Sequence, residues 1–466
     1  MAQEATEVLY QKRIPIFPRS VKGIFRRLKY GILILAYGIY FLLPWVRWER
    51  LNAPDQAVLF DIPGRHFYIF GLAMEPQDVV WIGGLLVIAA MLLFFVTGIA
   101  GRVFCGYFCF QTLWTEVFVL IERLIQGERP ARIRLAQSPW SAAKLVKLGA
   151  TWGLWLLVAF WTGLTFTLYW DNAPELIVAM ARGEAPFAAY ATTLFLTATT
   201  FVMAGLAREQ VCTYMCPYAR FQSAMFDKDT LIVAYDERRG EDRHKPVKNL
   251  KSREQRRAQG MGDCVDCGYC VQVCPTGIDI RNGLQLQCIS CALCIDACNT
   301  IMDSLGWPHG LVGYTSENAQ QGGATRIIKP KTIGYGVILL TAIAVLGWSI
   351  AHQVSYNATV EQIRQPLYAT LSDGRIQNSY EIKLNNRIIR PLTVRIGLED
   401  LPGAELDVGG LEQVTLEPQQ RLQVLAKVRL AAAGKRGQQH FTFVITPVAG
   451  VQAEPAHRPS VFYLPE

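Results

Sequence analysis

Eight cysteines between Cys264 and Cys298 constrain this chain more than any other feature. They read Cys264-Val-Asp-Cys267-Gly-Tyr-Cys270-Val-Gln-Val-Cys274-Pro275, then Cys288-Ile-Ser-Cys291-Ala-Leu-Cys294-Ile-Asp-Ala-Cys298. Two runs of C-x2-C-x2-C-x3-C, the first closed by proline, form the ligand pattern of a ferredoxin-type segment with two [4Fe-4S] clusters. Three closely spaced thiolates wrap one corner of a cubane, and the fourth crosses to the other cluster. The expected sets are Cys264, Cys267, Cys270 and Cys298 for one cluster, and Cys288, Cys291, Cys294 and Cys274 for the other. Zinc knuckles use two pairs of ligands rather than two runs of four. Disulfides need an oxidising compartment, and the charge pattern places this segment inside the cell. Two clusters in one small fold make a short electron wire.

What the wire is attached to follows from hydropathy. The chain has 466 residues, 51% hydrophobic and only 18% charged, which points to membrane spans. Apolar runs free of charge occur at Tyr30–Val46, Val79–Ala100, Leu148–Trp170, Pro186–Ala207 and Thr332–Ala351. Each is near the roughly 20 residues needed to cross a bilayer as a helix. The net charge of +8 sits beside these runs, so it reports orientation and not nucleic-acid binding. The N-terminal arm carries Lys12, Arg13, Arg19, Lys22, Arg26, Arg27 and Lys29, and no cleavable signal peptide is evident. The loop 102–147 and the segment 208–331 are basic, the loop 171–185 is acidic, and the loop 47–78 mixes three arginines with Glu49, Asp55, Asp61, Glu75 and Asp78. By the positive-inside rule the N-terminus and the cysteine-rich segment are cytoplasmic, and the C-terminal region is on the far side.

From about His352 to Glu466 branched or alternating runs recur at Tyr380–Leu384, Leu392–Leu398, Gln413–Leu416, Leu422–Leu430, Phe441–Ile445 and Val461–Leu464. Turn residues such as Pro402-Gly403, Gly409-Gly410 and Gly434 separate them, which predicts an antiparallel β-sandwich. It contains no cysteine, and His440 and His457 are its only candidate metal ligands.

Four cysteines remain. Cys105-Gly-Tyr107-Phe-Cys109 follows the second span and Cys212-Thr-Tyr214-Met215-Cys216-Pro217 follows the fourth, so both units are expected at the cytoplasmic membrane edge. Arg102 and Arg208 precede them in similar frames, suggesting an internal pseudo-repeat. If helical, each i, i+4 pair presents both sulfurs on one face. Four gathered thiolates would select Cu(I), zinc or an iron–sulfur cluster over hard cations, and the arginines would favour the thiolate. Met203 and Met215 are possible thioether donors. The bland reading is that these cysteines are small buried hydrophobes of membrane helices.

These motifs together resemble the CcoG family, also called RdxA or FixG, of cytochrome c oxidase accessory proteins. The resemblance covers nearly the whole chain. Its most specific parts are Gly101-Arg102-Val103-Phe104-Cys105-Gly106-Tyr107-Phe108-Cys109, Cys212-Thr-Tyr-Met-Cys216-Pro217 and the trailing β-domain. The first unit has Phe110 where the second has Pro217. The resemblance implies a membrane-bound iron–sulfur protein that reduces Cu(II) to Cu(I) for assembly of cbb(3)-type cytochrome c oxidase. Cys105, Cys109, Cys212 and Cys216 would then be the reactive copper-binding thiols.

The expected organisation is an α-helical membrane protein with five transmembrane helices, an inserted two-cluster ferredoxin domain and a C-terminal all-β immunoglobulin-like sandwich. The expected segments are a cytoplasmic arm at 1–29, four spans with both thiol units at 30–251, the ferredoxin domain at 252–310, the fifth span at 332–351 and a periplasmic sandwich at 352–466. The expected location is the bacterial inner membrane. Expected partners are a cytoplasmic electron donor, copper chaperones or transporters, oxidase assembly factors and membrane lipids; a homodimer stays open. Two other functions compete: a quinol-linked relay to another redox enzyme, and a redox-sensing scaffold without catalysis. A quinone site would need a polar group within the spans, and the five apolar runs contain no charged residue.

Overall fold

A computed structural model describes residues 15–50, 54–74, 78–245, 252–352, 355–388, 390–410, 413–418, 420–431, 437–449 and 454–465. Lys12, Arg13, Glu75 and Gly434 lie outside the described residues. The chain divides into two compact units, Met1–Trp45 with Gln77–Ala344, and Val46–Pro76 with Val345–Glu466.

The first unit is helical. Among its described residues and the following helix, six helices are long and apolar enough to cross a bilayer: Ile24–Trp45, Val79–Ala100, Val103–Gln126, Ala142–Thr167, Phe187–Ala207 and Pro330–Ala351. Val79–Ala100 buries only Trp81, Thr97 and Gly98. A helix apolar on every side finds a favourable surround only in lipid. Five of the six helices correspond to the expected spans. The first starts at Ile24 rather than Tyr30 because Arg26 and Lys29 are tolerated inside it. Both are paired with the buried carboxylate of Glu116, Lys29 at 2.7 Å.

The sixth helix, Val103–Gln126, was not among the expected spans because Glu116, Glu122 and Arg123 interrupt its apolar pattern. Those charges are neutralised by partners outside the helix: Glu116 by Arg26 and Lys29, Glu122 by Arg132 at 3.0 Å and by Arg208, and Arg123 by Glu128 at 3.5 Å. This helix breaks at Phe108 and Cys109, giving Val103–Tyr107 and Phe110–Gln126. Its first end touches Cys291 through Tyr107. Just past its other end, Glu128 accepts from Ser20, whose neighbour Arg19 donates its backbone N–H to Gln272. Both ends thus meet the cysteine-rich segment or the arm bound to it.

That segment closes with a two-stranded antiparallel sheet, Ile232–Tyr235 on Val312–Thr315. Both strands lie outside 252–310. Val233, Tyr235, Ile280, Ile295, Met302, Trp307 and Leu311 form its core.

The second unit is β. Residues Val58–Asp61, His66–Ile69 and Leu72–Met74 make a three-stranded sheet within the first long loop. The C-terminal domain has two antiparallel sheets. One orders Glu405–Asp407, Arg421–Ala431, Arg375–Asn386 and Tyr356–Gln362, with Ala369–Thr370 on the third; the other orders Val414–Leu416, Leu392–Glu399, Gln438–Ala449 and Ala456–Tyr463. Every second residue of Arg375–Asn386 is buried, the period of a strand with one face in a sandwich core. Tyr380 packs edge-on against Phe441 and Phe443 and donates to Val461 O at 2.7 Å, so its hydroxyl is satisfied inside the apolar layer.

Candidate functional site

The two cysteine runs fold alike. In the first, Asp266 and Gly268 have φ of 44° and 62°; in the second, Ser290 and Ala292 have 52° and 59°. These are matching positions, one before and one after the middle cysteine of each C-x2-C-x2-C. Such left-handed steps in a short loop turn successive backbone N–H groups to one side, an arrangement suited to anionic clusters. Gly268 adopts it freely, whereas Asp266, Ser290 and Ala292 do so against their Cβ atoms.

Two cavities result. Cys264, Cys267, Cys270 and Cys298 line one with Val265, Met302 and Leu311. Cys274, Cys288, Cys291 and Cys294 line the other with Ile278 and Ile280, and Cys270 borders it too. The fourth cysteine of each run therefore stands with the three of the opposite run. None of the twelve cysteines forms a disulfide. Among the described residues no three Cys, His, Asp or Glu side chains converge as they would on a single ion. Sulfurs standing around a cavity instead suit a cubane, with its four separate irons. Burial pushes Cys270 and Cys298 up to about 12 and Cys288 up to about 11. Such thiols give up their protons when a metal takes the proton's place. The residues present fit two [4Fe-4S] clusters.

The membrane-edge units share a backbone plan that the arginine frames obscured. Gly101 has φ 58°, ψ −126°, and Arg208 has φ 44°, ψ −113°. Each lies four residues before the first cysteine of its unit, so Arg208 matches Gly101 and not Arg102. Cys105 lies in the short helix Val103–Tyr107, and Cys212 in the wide π-turn Val211–Met215. Cys109 and Cys216 stand at the break that follows, extended at φ −64° and −81°, and each is the N-cap of the next helix. Neither pair is an uninterrupted i, i+4 stripe. Phe110 and Pro217 occupy the same first helical position, where proline is at home because its missing N–H would have no intrahelical partner.

The four thiols lie near enough to feel one another's charge, though no three of them converge on one point. Burial pushes Cys212 up to about 12; Cys109, Cys105 and Cys216 push the same way, with Arg102 opposing them. Arg208 does not serve the thiols as expected, because its guanidinium pairs with Glu122 and lies over the Trp155 ring at 5.2 Å. Cys105 donates to Gln222 Oε1 at 3.0 Å, and Gln222 donates to Thr97 at 3.1 Å. Gln222 and Thr97 carried no signal in the sequence. Met203 lies in the bundle and Met215 is exposed. In the β unit His66 meets Arg421 at 3.1 Å, His457 is 3.5 Å from Glu399 and His440 lies on the strand Gln438–Ala449, all outside any metal cluster among the described residues.

The two cysteine sets touch through the first unit. A Cβ on Gly106 would stand 2.6 Å from Ile289 O and 2.9 Å from Cys291 Cα. Only glycine lets the backbones approach this closely. Tyr107 donates to Cys291 O at 3.1 Å, and Arg102 donates to Leu286 O. A cavity beside this seam is lined by Cys212 and Glu209 on the bundle side and by Val273, Pro275, Ile289 and Leu293 on the other. Each of the last four is next in sequence to a cysteine of the two runs.

Residues 207–317 match the 4Fe-4S dicluster domain family, and residues 346–465 match the IG-like fold at the C-terminus of FixG. Protein RdxB of Cereibacter sphaeroides is 45% identical over 397 residues, 82% of this chain and 81% of its own. Protein RdxA of the same organism is 40% identical over 415 residues, 87% and 86% of the two chains. The nitrogen fixation protein FixG of Rhizobium meliloti is 40% identical over 435 residues, 86% and 82%.

Proposed function

The chain belongs to the family of RdxA, RdxB and FixG, iron–sulfur proteins of the membrane, and from that premise we propose that it reduces Cu(II) to Cu(I) for assembly of cbb(3)-type cytochrome c oxidase. Cys264, Cys267, Cys270 and Cys298 would hold one cluster, and Cys274, Cys288, Cys291 and Cys294 the other. When bound, the clusters supply one-electron storage and transfer. Cu(II) is the substrate, and it gains one electron to become Cu(I). Cys105, Cys109, Cys212 and Cys216 receive it, because soft thiolates favour the reduced ion. Two thiolates suffice for Cu(I), in keeping with four neighbouring sulfurs that do not converge in threes. The observation that supports this reading is the Gly106 contact, which brings the Cys105–Cys109 unit directly against the loop Cys288–Cys291.

For orientation we keep the N-terminus and cysteine-rich segment on the cytoplasmic side of a bacterial inner membrane and the sandwich in the periplasm. Support comes from the sheet Val58–Met74, which belongs to the same compact unit as the sandwich, as two segments on one side of a bilayer would. The helix Val103–Gln126, with both ends against the cysteine-rich side, supports five crossings. Copper chaperones or transporters and oxidase assembly factors are the partners this role requires.

The test is the double change Cys212→Ser and Cys216→Ser. It should keep about eight iron and about eight acid-labile sulfide per chain, as two cubanes require, and lose Cu(I) binding. About twelve iron in the wild type would mean a third cluster on the quartet. A double variant that still reduces Cu(II) to bound Cu(I) like the wild type would place the copper site elsewhere.

A further inference from the structure

The helix bundle holds a second cavity, of ≈ 330 Å³, that copper chemistry leaves unused. This is the size of a small-molecule site. Phe110, Trp114 and Phe166 form its aromatic walls, and Gln111, Thr199 and Thr200 supply polar edges. Phe110 is 71% exposed and Phe166 41% exposed in the protein alone, so the mouth opens where the spans meet lipid. Among the described residues no charged one lines it.

Gln111 is the informative residue. It is buried, and its Nε2 donates to Met203 O at 2.8 Å and Arg208 O at 3.2 Å. Phe201–Ala207 is wound as a π-helix, a form that recurs at functional sites, and Met203 lies within it. With its amide nitrogen so engaged, Gln111 Oε1 has no donor among the described residues. The Thr200 hydroxyl, on another helix, likewise has no hydrogen bond among them. An occupant with a flat ring and two separate oxygens would meet stacking walls and a group at each oxygen. Gln111 also lines the cavity of Cys212, so the two spaces share one wall.

We propose that this cavity binds a membrane quinol and that the quinol is the reductant for copper. The inference rests on the cupric-reductase reading and names its electron donor. The balance is QH2 + 2 Cu(II) → Q + 2 Cu(I) + 2 H+. Both O–H bonds break, the ring becomes a dione, and each Cu(II) gains one electron. Gln111 Oε1 accepts from one quinol hydroxyl and orients the ring, and the electrons leave toward the thiol-lined side of the shared wall.

The experiment uses the full chain in detergent, purified anaerobically, with decylubiquinone as the binding probe and decylubiquinol as reductant. Binding is read by quenching of tryptophan fluorescence, to which Trp114 contributes from the cavity wall. Thr199→Trp should fill the cavity and abolish saturable binding. Gln111→Leu should weaken it by about tenfold, the loss of one hydrogen bond. Both variants should keep wild-type iron content, and both should lose decylubiquinol-driven Cu(II) reduction. Wild-type affinity in both variants would overturn the proposal. So would equal competition by decanol, which would make the cavity a slot for a lipid tail. The same samples, reduced with dithionite and desalted, are then given Cu(II). Copper reduction there without quinone binding sinks only this inference, whereas quinone binding with no copper reduction sinks the cupric-reductase reading on which the donor role depends.

Discussion

The run Cys264–Cys298 and the quartet Cys105, Cys109, Cys212 and Cys216 use the same soft ligand and are assembled in different ways. In the run, every sulfur is placed by a loop of a few residues, and the left-handed steps at Asp266, Gly268, Ser290 and Ala292 belong to those same loops. In the quartet, two units 107 positions apart are brought together by helices. Glu122, tied to Arg132 and Arg208, holds the second unit against the first. The run therefore carries its own geometry, as suits a resident cofactor. The quartet borrows its geometry from the bundle, as suits an ion that arrives and leaves.

The largest effect expected is from breaking the run. Cys267→Ser should cut iron from about eight to about four per chain and stop Cu(II) reduction by the dithionite-reduced protein. Cu(I) supplied already reduced should still bind the quartet. Iron analysis and Cu(I) titration check this, and an unchanged iron content would show that Cys267 is no ligand. Next, Glu122→Gln should break the quartet's support and spare the run. Removing one partner of a buried ion pair costs about 3–5 kcal/mol, so the thermal midpoint and Cu(I) affinity should both fall at constant iron. Smaller again is Gly106→Ala. Its methyl would meet Ile289 O and Cys291, and overpacking costs about 1–3 kcal/mol. Electron passage between the sets, followed by stopped-flow copper reduction, should slow while each set keeps its metal. Tyr107→Phe should do least, losing a single hydrogen bond to Cys291 O of about 1 kcal/mol. If it slows copper reduction more than Gly106→Ala does, the hydroxyl and not the close approach couples the sets.

This ranking also tracks what could be read in the sequence. The eight-cysteine segment was legible because its ligands are local, and five spans were legible because nothing charged interrupts them. The helix Val103–Gln126 was not, because Glu116 and Glu122 look like loop residues until Arg26, Lys29, Arg132 and Arg208 arrive from elsewhere. The strands Ile232–Tyr235 and Val312–Thr315 are four residues each and pair across 76 intervening positions, so neither has a pattern of its own. In the quartet the cysteines were visible but their supports were not. Arg208 appeared to be a partner of the thiols, and only the backbone shows that it stands where the first unit has Gly101. Gly106 gave no sign of its role, because close approach is a property of two chain segments.

That close approach also bears on the order in which the protein matures. Cys291 is buried under Gly106 and Tyr107, so once the segment is seated its second cavity is closed from that side. We infer that iron and sulfide enter while the segment still hangs free of the bundle, and that seating comes afterwards as a latch. A chain with Gly106→Ala, its latch propped open, should then incorporate iron faster than the wild type during reconstitution of the unloaded protein. Equal rates would mean that the cavities fill from their outer faces and that seating and loading are independent events.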